Sequence, residues 1–152
     1  MRYREYFLSY QEENPLLNKK YFETDSFKRD LLKKASQLFL SDFESFIQKS
    51  QAKEFSITNS TIFIEDIASG DQFISNKQQI QNIKNNLPNV VCVEMEGAAV
   101  AQVCYEYQIP FSIIRTISDK ANDNSHIDFT NFAKQIASNY ALGILKNYFK
   151  LI

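Results

Sequence analysis

The pattern of apolar and polar positions predicts strands and helices that alternate along the chain. Apolar residues recur at helical spacing after Asp25, which predicts a capped helix from Ser26 to about Ser50. Short apolar or β-branched runs predict strands, and further helices lie between them. The predicted strands are 3–10, 61–68, 90–94 and 111–117, and the other predicted helices are 76–86, 96–107 and 128–150. The alternation predicts an α/β fold with a mostly parallel sheet covered by helices.

Length and charge fit one globular domain that does not bind a polyanion. A chain of 152 residues can bury about two thirds of its unfolded surface, so we interpret 1–152 as a single domain. The formal net charge of -1 gives no basic surface for nucleic acid. The chain has no apolar run of about 18 residues and no signal-peptide pattern, which predicts a cytoplasmic protein without a membrane partner.

Cysteine, histidine and glycine usage argues against a metal site or a nucleotide loop. Cys92 and Cys104 lie in an apolar strand and on a helix face, which favours buried free thiols over a disulfide. His126 follows an Asn/Asp-rich stretch and is interpreted as loop surface. One histidine and two distant cysteines make no metal-ligand set, and three isolated glycines make no Gly-rich phosphate loop.

Two predicted strands end in carboxylates. The run 90–93 leads into Glu94-Met95-Glu96-Gly97, and the run 111–117 leads into Ser118-Asp119. In open parallel sheets, ligands bind outside the carboxyl ends of the strands, so these residues predict a ligand site. Taken alone, Ser118-Asp119 also fits a turn or helix cap, and Glu96 fits an acid that complements a helix dipole. Glu94 fits a structural role as well as a ligand role.

Four motifs, with their mutual spacing, resemble those of the 5'-methylthioadenosine/S-adenosylhomocysteine nucleosidase family of the purine nucleosidase/phosphorylase superfamily. They are Ser69 to Ile74, Val93 to Ala99, Pro110 to Arg115, and Ile117 to Asp119. The resemblance implies a three-layer, nucleoside phosphorylase-like α/β fold whose mostly parallel, mixed sheet is flanked by helices. It also implies hydrolysis of the N-glycosidic bond of 5'-methylthioadenosine and S-adenosylhomocysteine, which releases adenine without a cofactor.

The resemblance implies a catalytic role for three residues. Asp119 is the acid that protonates the leaving purine, which requires a raised pKa at neutral pH. Ser118 orients that carboxyl group. Arg115, which we expect to be buried with an anionic partner in an apolar strand, helps to organise the carboxylate that activates water.

Substrate contacts follow from the same resemblance. Phe73 stacks on adenine, and the backbone next to Ile74 reads the amino edge of the base. Glu96 accepts from both ribose hydroxyls and favours a cationic transition state. Glu94 is a further candidate for substrate binding. Met95 lies beneath the sugar, and Phe129 is an aromatic residue that lines the pocket.

The resemblance covers the C-terminal two-thirds of the family fold, so we expect an N-terminally truncated chain. The family's glycine-rich loop and catalytic glutamate have no counterpart in it. A homodimer is implied, in which the partner closes the alkylthio pocket. One alternative is a non-catalytic or split-gene fragment that needs a separate N-terminal segment. Another is a related purine nucleoside phosphorylase, although Asp119 favours a 6-aminopurine and no phosphate-binding arginine loop is visible.

Overall fold

The computed structural model describes residues 2–5, 19–118 and 130–152. The chain forms two compact units. The first comprises Met1–Lys28 and Ile64–Ile113, and the second comprises Arg29–Phe63 and Ile114–Ile152.

Strands and helices alternate through most of the described chain. The strands are β1 (Arg2–Glu5), β2 (Tyr21–Glu23), β3 (Asp66–Ser69) and β4 (Val90–Glu94). The helices are α1 (Ser26–Ser41), α2 (Lys49–Glu54), α3 (Lys77–Asn86), α4 (Gly97–Glu106) and α5 (Ser138–Leu151), with a 3₁₀ turn at Phe43–Ser45 and a π-helical turn at Ala133–Ala137. None of the described helices combines the length and the apolar character that crossing a membrane requires.

The sheet of the first unit is mixed, as expected. Its described strands lie in the order β2-β1-β3-β4. The β1 strand pairs antiparallel with β2 and parallel with β3, and β3 pairs parallel with β4. Strand β4 has the bounds that the sequence predicts. The α/β class with a mostly parallel sheet is therefore confirmed.

Helices lie on both faces of this sheet. Side chains alternate between the two faces along a strand. On one face Ile67 packs with Ala98 and Ala101 of α4, with Cys92 beside them. On the other face Ala68 and Val93 line a cavity together with Ile83 of α3. Ser69 lies two residues beyond Ile67, and Glu94 lies two residues beyond Cys92. Their side chains therefore lie on the same face as α4.

An aromatic cluster forms the core of the second unit. Phe39, which is 1% exposed, has its ring centroid 4.8 Å from that of Tyr140, 5.4 Å from Phe46 and 5.9 Å from Phe43. The hydroxyl groups of Tyr140 and Ser60 are hydrogen-bonded at 2.8 Å. Burial raises the pKa of Tyr140, and this hydrogen bond partly opposes the rise. The last helical segment contributes buried side chains at four-residue intervals, namely Phe132, Ile136, Tyr140 and Ile144.

The predicted helix 26–50 is wrong in its second half. Asp25 caps α1 as expected, because its Oδ1 accepts from the Lys28 N–H at 2.8 Å. However, α1 ends at Ser41, and the carboxylate of Asp42 bonds the Ser45 hydroxyl group. Such local side-chain bonds compete with the helical ladder, and the chain forms a 3₁₀ turn before α2 begins.

Two further predicted strands differ from the structure, and a third is described only in part. Of 61–68 only the end is a strand, since β3 begins at Asp66. The described segment 111–117 contains no strand: the Phe111 carbonyl accepts from the Asp25 N–H at 2.8 Å, and the Ser112 hydroxyl donates to the Asp25 carbonyl at 3.1 Å. Of 3–10 the structure describes only the part within β1, and 6–10 lie outside the described residues.

Candidate active site

The candidate site lies where β3 and β4 end. Ser69 and Glu94, the last residues of these strands, are register partners in the parallel ladder. The N–H of Gly70 donates to the carbonyl of Glu94 at 3.0 Å and extends the ladder beyond the strands. The two quoted motifs that contain these residues are thus side by side at one edge of the sheet. This is the edge at which parallel sheets bind ligands.

The carboxylate of Glu94 caps α4. Its Oε2 accepts from the Gly97 N–H at 2.8 Å and from the Glu96 N–H at 3.2 Å, and its Oε1 lies 3.0 Å from the Gly97 nitrogen. Hydrogen bonds to an ionised acceptor are stronger than neutral ones, and a negative charge is favoured at a helix N-terminus. Of the two readings of Glu94 from the sequence, the structure supports the structural one directly.

Ser69 completes this cap from the neighbouring strand. Its Oγ accepts from the Ala98 N–H at 3.1 Å, and the side chain is almost fully buried. Three consecutive N–H groups at the start of α4, those of Glu96, Gly97 and Ala98, are therefore bonded to protein side chains. Helix starts bind phosphate through such N–H groups. Because these three are occupied, they do not offer an anion site.

Met95 and Glu96 lie at the surface of this helix start. Met95 is 45% exposed, and Glu96 is exposed as well. Glu96 occupies the N-cap position of α4, yet its side chain does not make the capping hydrogen bond. A carboxylate so placed can accept hydrogen bonds from a neutral ligand that bears hydroxyl groups.

The loop after β3 carries the residues expected to bind the base. Asn76 caps α3 by accepting from the Gln79 N–H at 2.9 Å, and Gln79 accepts in turn from the Ser75 N–H at 3.1 Å. Ile74 is 9% exposed, and Phe73 is partly buried. Both ends of the loop are thus fixed, one by the sheet and one by the helix cap.

A small cavity adjoins this loop. It offers about 10 Å³ to the centres of water-sized molecules and is lined by residues of both motifs and of α3: Ala68, Ser69, Gly70, Gln72, Ile74, Ile83, Val93 and Glu94. A single buried water molecule needs about 10–15 Å³ of such space. The cavity is therefore too small to enclose a whole nucleoside, although Ile74 and Glu94 both contribute to it.

The structure describes two of the expected catalytic residues. Arg115 and Ser118 belong to the second unit. Arg115 is exposed, so the expectation of a buried arginine is wrong; Ser118 is half-buried. Asp119 and Phe129 lie outside the described residues, as does His126. Within the described parts of the chain, no group of three or more His, Cys, Asp or Glu side chains could hold a metal ion.

Sequence reasoning missed the role of Ser69. The residue stood in a quoted motif, but only as the first residue of a turn. Its contact with Ala98 depends on the register that pairs Ser69 with Glu94, which is 25 residues further along the chain. The available signal was a hydroxyl residue at a strand end next to another strand that leads directly into a helix.

Comparison with known proteins gives consistent matches. The family model described as the phosphorylase superfamily matches residues 12–150. The 5'-methylthioadenosine/S-adenosylhomocysteine nucleosidase of Glaesserella parasuis is 42% identical over 85 residues, which are 54% of this chain and 37% of the relative. The resemblance inferred from the four motifs is thereby confirmed.

Solved structures match over nearly the whole chain. The 5'-methylthioadenosine/S-adenosylhomocysteine nucleosidase of Neisseria meningitidis, in complex with methylthio-immucillin-A, superposes with a TM-score of 0.70 at 28% identity. The futalosine hydrolase of Helicobacter pylori superposes with a TM-score of 0.65 at 26% identity. The match covers 88% of this chain in both cases, and 50% and 48% of the respective structures. The chain thus spans about half the length of these structures and about a third of the curated relative.

Proposed function

Because the chain belongs to the phosphorylase superfamily, we propose that it acts in the hydrolysis of 5'-methylthioadenosine and S-adenosylhomocysteine. In this reaction the bond between the purine and the anomeric carbon breaks, water supplies the hydroxyl group of the thio-sugar, and adenine leaves. The observation that supports the proposal best is the exposed carboxylate residue Glu96 at a helix start whose neighbouring N–H groups are already bonded within the protein. Such a site suits a neutral diol.

The proposal gives the sequence-predicted residues distinct roles. Glu96 accepts hydrogen bonds from the two ribose hydroxyls, and Met95 lies against the sugar. Phe73 stacks on the base, the backbone at Ile74 pairs with its amino edge, and Phe129 lines the pocket. Glu94 remains a further candidate for substrate binding in addition to its role in the cap of α4.

Proton transfer is assigned to the segment that follows the apolar run 111–117. Asp119 donates a proton to the leaving purine, which would otherwise depart as an anion, and Ser118 orients its carboxyl group. Arg115 would pair with the water-activating carboxylate only if a separate N-terminal fragment supplied that group. A positioned general acid or base contributes about 10²–10⁴-fold to a rate. Loss of the Asp119 proton should therefore be visible in any assay that detects adenine.

The proposal extends to assembly and location. We propose a homodimer in which the partner subunit closes the alkylthio pocket. A separate N-terminal fragment as a partner and a cytoplasmic location belong to the same proposal. Sedimentation of the purified chain at several concentrations tests for the dimer. A monomer at all concentrations would contradict the dimer but leave the reaction open.

The direct test measures binding and turnover separately. Calorimetric titration with adenine and with 5'-methylthioadenosine reports the site, and adenine release reports the reaction. Glu96→Gln should weaken binding of the nucleoside by about 10-fold or more, because hydrogen bonds to a charged group are lost. Asp119→Asn should abolish release. Glu106→Gln, at the other end of α4, is the matched control and should change neither.

Alternative substrates are distinguished in the same assay. Futalosine is included because a futalosine hydrolase shares the fold, and each substrate is tested with and without inorganic phosphate. Faster release from futalosine would mean that futalosine, and not 5'-methylthioadenosine, is the preferred substrate. Turnover that requires phosphate would indicate a phosphorylase. Absence of both binding and release with a well-folded chain would refute the proposal.

A further inference from the structure

We propose that Ser69 and Glu94 are positioning residues that hold the start of α4 in the place where the Glu96 side chain meets the ribose of the substrate. The inference rests on the proposed function, since it takes the ribose as the ligand of Glu96. In it, Ser69 and Glu94 position the helix start and Glu96 contacts the ligand, which the motifs alone do not show.

The first step is the displacement of Glu96 from capping. An N-cap side chain ordinarily accepts from the N–H two or three residues further along its helix. In α4 the N–H two residues beyond the N-cap is that of Ala98, and it donates to Ser69 at 3.1 Å instead. The N-cap residue itself makes no capping bond with its side chain. Ser69 therefore fulfils the function that the Glu96 side chain would otherwise have in its own helix.

The second step is the fixing of the Glu96 backbone. Glu94 accepts from the Glu96 N–H at 3.2 Å and from the Gly97 N–H at 2.8 Å. These bonds hold the peptide units on both sides of the Glu96 Cα atom, from a strand end that is itself bonded to Gly70. Placement of a group within about 0.5 Å is what a preorganised site requires, and supporting hydrogen bonds achieve it.

The third step is electrostatic. Two glutamates, Glu94 and Glu96, occupy the positive end of α4, and the bonds to Glu94 and Ser69 use three N–H groups there. An anionic ligand would meet a second negative charge without these donors. Hydroxyl groups of a neutral sugar would instead find an acceptor. The cap thus selects the class of ligand as well as the position of Glu96.

The experiment compares a ligand with ribose and a ligand without it. Titration with 5'-methylthioadenosine and with adenine is carried out on the full chain and on Ser69→Ala, Glu94→Gln and Glu94→Ala. Loss of one neutral hydrogen bond corresponds to about 3- to 10-fold, and loss of a charged acceptor to more. We expect Ser69→Ala and Glu94→Ala to weaken the nucleoside by such factors and adenine by less than twofold. Glu94→Gln, which keeps one acceptor oxygen, should lie between the wild type and Glu94→Ala.

A double-variant cycle separates positioning from general destabilisation. In a Glu96→Ala background, Ser69→Ala should no longer affect nucleoside binding, because the group that it positions is absent. A loss that persists undiminished in that background would overturn the inference. Equal weakening of adenine and nucleoside would also overturn it, since it indicates a structural role. If Ser69→Ala does not fold, Glu94→Gln gives the same comparison.

The outcomes keep the two proposals apart. Wild-type protein that binds neither ligand would overturn both. If the wild type binds both ligands and the cap variants bind each of them as tightly as the wild type does, the positioning role alone is refuted. The proposed function would then still stand. Glu106→Gln controls for a change of charge on the same helix, and thermal unfolding of each variant confirms that it is folded.

Discussion

Substitution of Gly143 by alanine should destabilise the second unit, against the usual effect of this change in a helix. Alanine is about 1 kcal/mol more favourable than glycine in a helix interior, so propensity alone predicts a gain. However, a Cβ atom at Gly143 would lie 2.4 Å from Cδ2 and 2.7 Å from Cε2 of Phe39, and 3.1 Å from Cδ1 of Phe46. Carbon atoms pack best at about 3.5–4.0 Å, so the closest contact is about 1.1 Å too short.

The ring of Phe39 cannot easily withdraw from this contact. It is 1% exposed and packs against the rings of Phe43, Phe46 and Tyr140. Overpacking a core costs about 1–3 kcal/mol, and an overlap of this size against three neighbouring rings places the cost near the upper end. After the helix propensity is subtracted, the free energy of unfolding should fall by about 2 kcal/mol. For a chain of this size, that lowers Tm by about 4–8 °C.

Thermal and urea unfolding of four proteins measures the effect: the wild type, Gly143→Ala, Phe39→Leu and the double variant. Leucine removes the ring edge that the new methyl group meets, so Gly143→Ala should cost less, or stabilise, in the Phe39→Leu background. A coupling energy of about 1 kcal/mol or more between neighbours is expected. An increase in Tm for Gly143→Ala in the wild-type background would refute the reasoning, because propensity would then exceed packing.

Three further predictions concern stability. Asn76→Ala should lower the free energy of unfolding by about 1 kcal/mol in urea titrations, whereas Asn76→Asp, which keeps the acceptor, should not. The raised pKa of Tyr140 means that the folded state favours the protonated phenol. Its contribution to the free energy of unfolding should therefore be fully present below about pH 10 and be lost as the pH rises further. Tyr140→Phe should show a weaker alkaline loss and cost about 1 kcal/mol at pH 7 through the unpaired Ser60; identical pH profiles would contradict this. Ile136→Ala, at a fully buried position, should cost about 2–5 kcal/mol, and Leu142→Ala, at a half-exposed one, much less.

Elements that depend on local signals were predicted well. The polar cap Asn76 and the stop at Leu87-Pro88 define α3, and the apolar run before Glu94 defines β4. Strand β2 was not predicted, because three residues carry too little pattern and their stability comes from pairing with β1. The β-branched run before Asp66 shows the opposite error, because a strand was predicted there and does not form. Its residues favour a strand, yet a strand forms only where a partner is in register.

The candidate site divides in the same way. The positions of Glu94, Met95 and Glu96 at a strand end could be predicted, because the change from an apolar run to charged residues is a local signal. The capping of α4 by Glu94 and Ser69 could not, since it depends on a register between residues that are distant in sequence. The exposure of Arg115 was missed because the strand expected around it does not form among the described residues.

The π-helical turn at Ala133–Ala137 closes each hydrogen bond over one residue more than an α-helix does. Each four-residue step in an α-helix overshoots a full turn by about 40°, so Phe132, Ile136, Tyr140 and Ile144 would progressively rotate off a common face. The wider turn takes up part of this excess between Phe132 and Ile136. The core position of Phe132 therefore depends on this turn. A relative with one residue fewer in 133–137 would form a regular helix, preserve α5, and turn the position of Phe132 by about 100° out of the core.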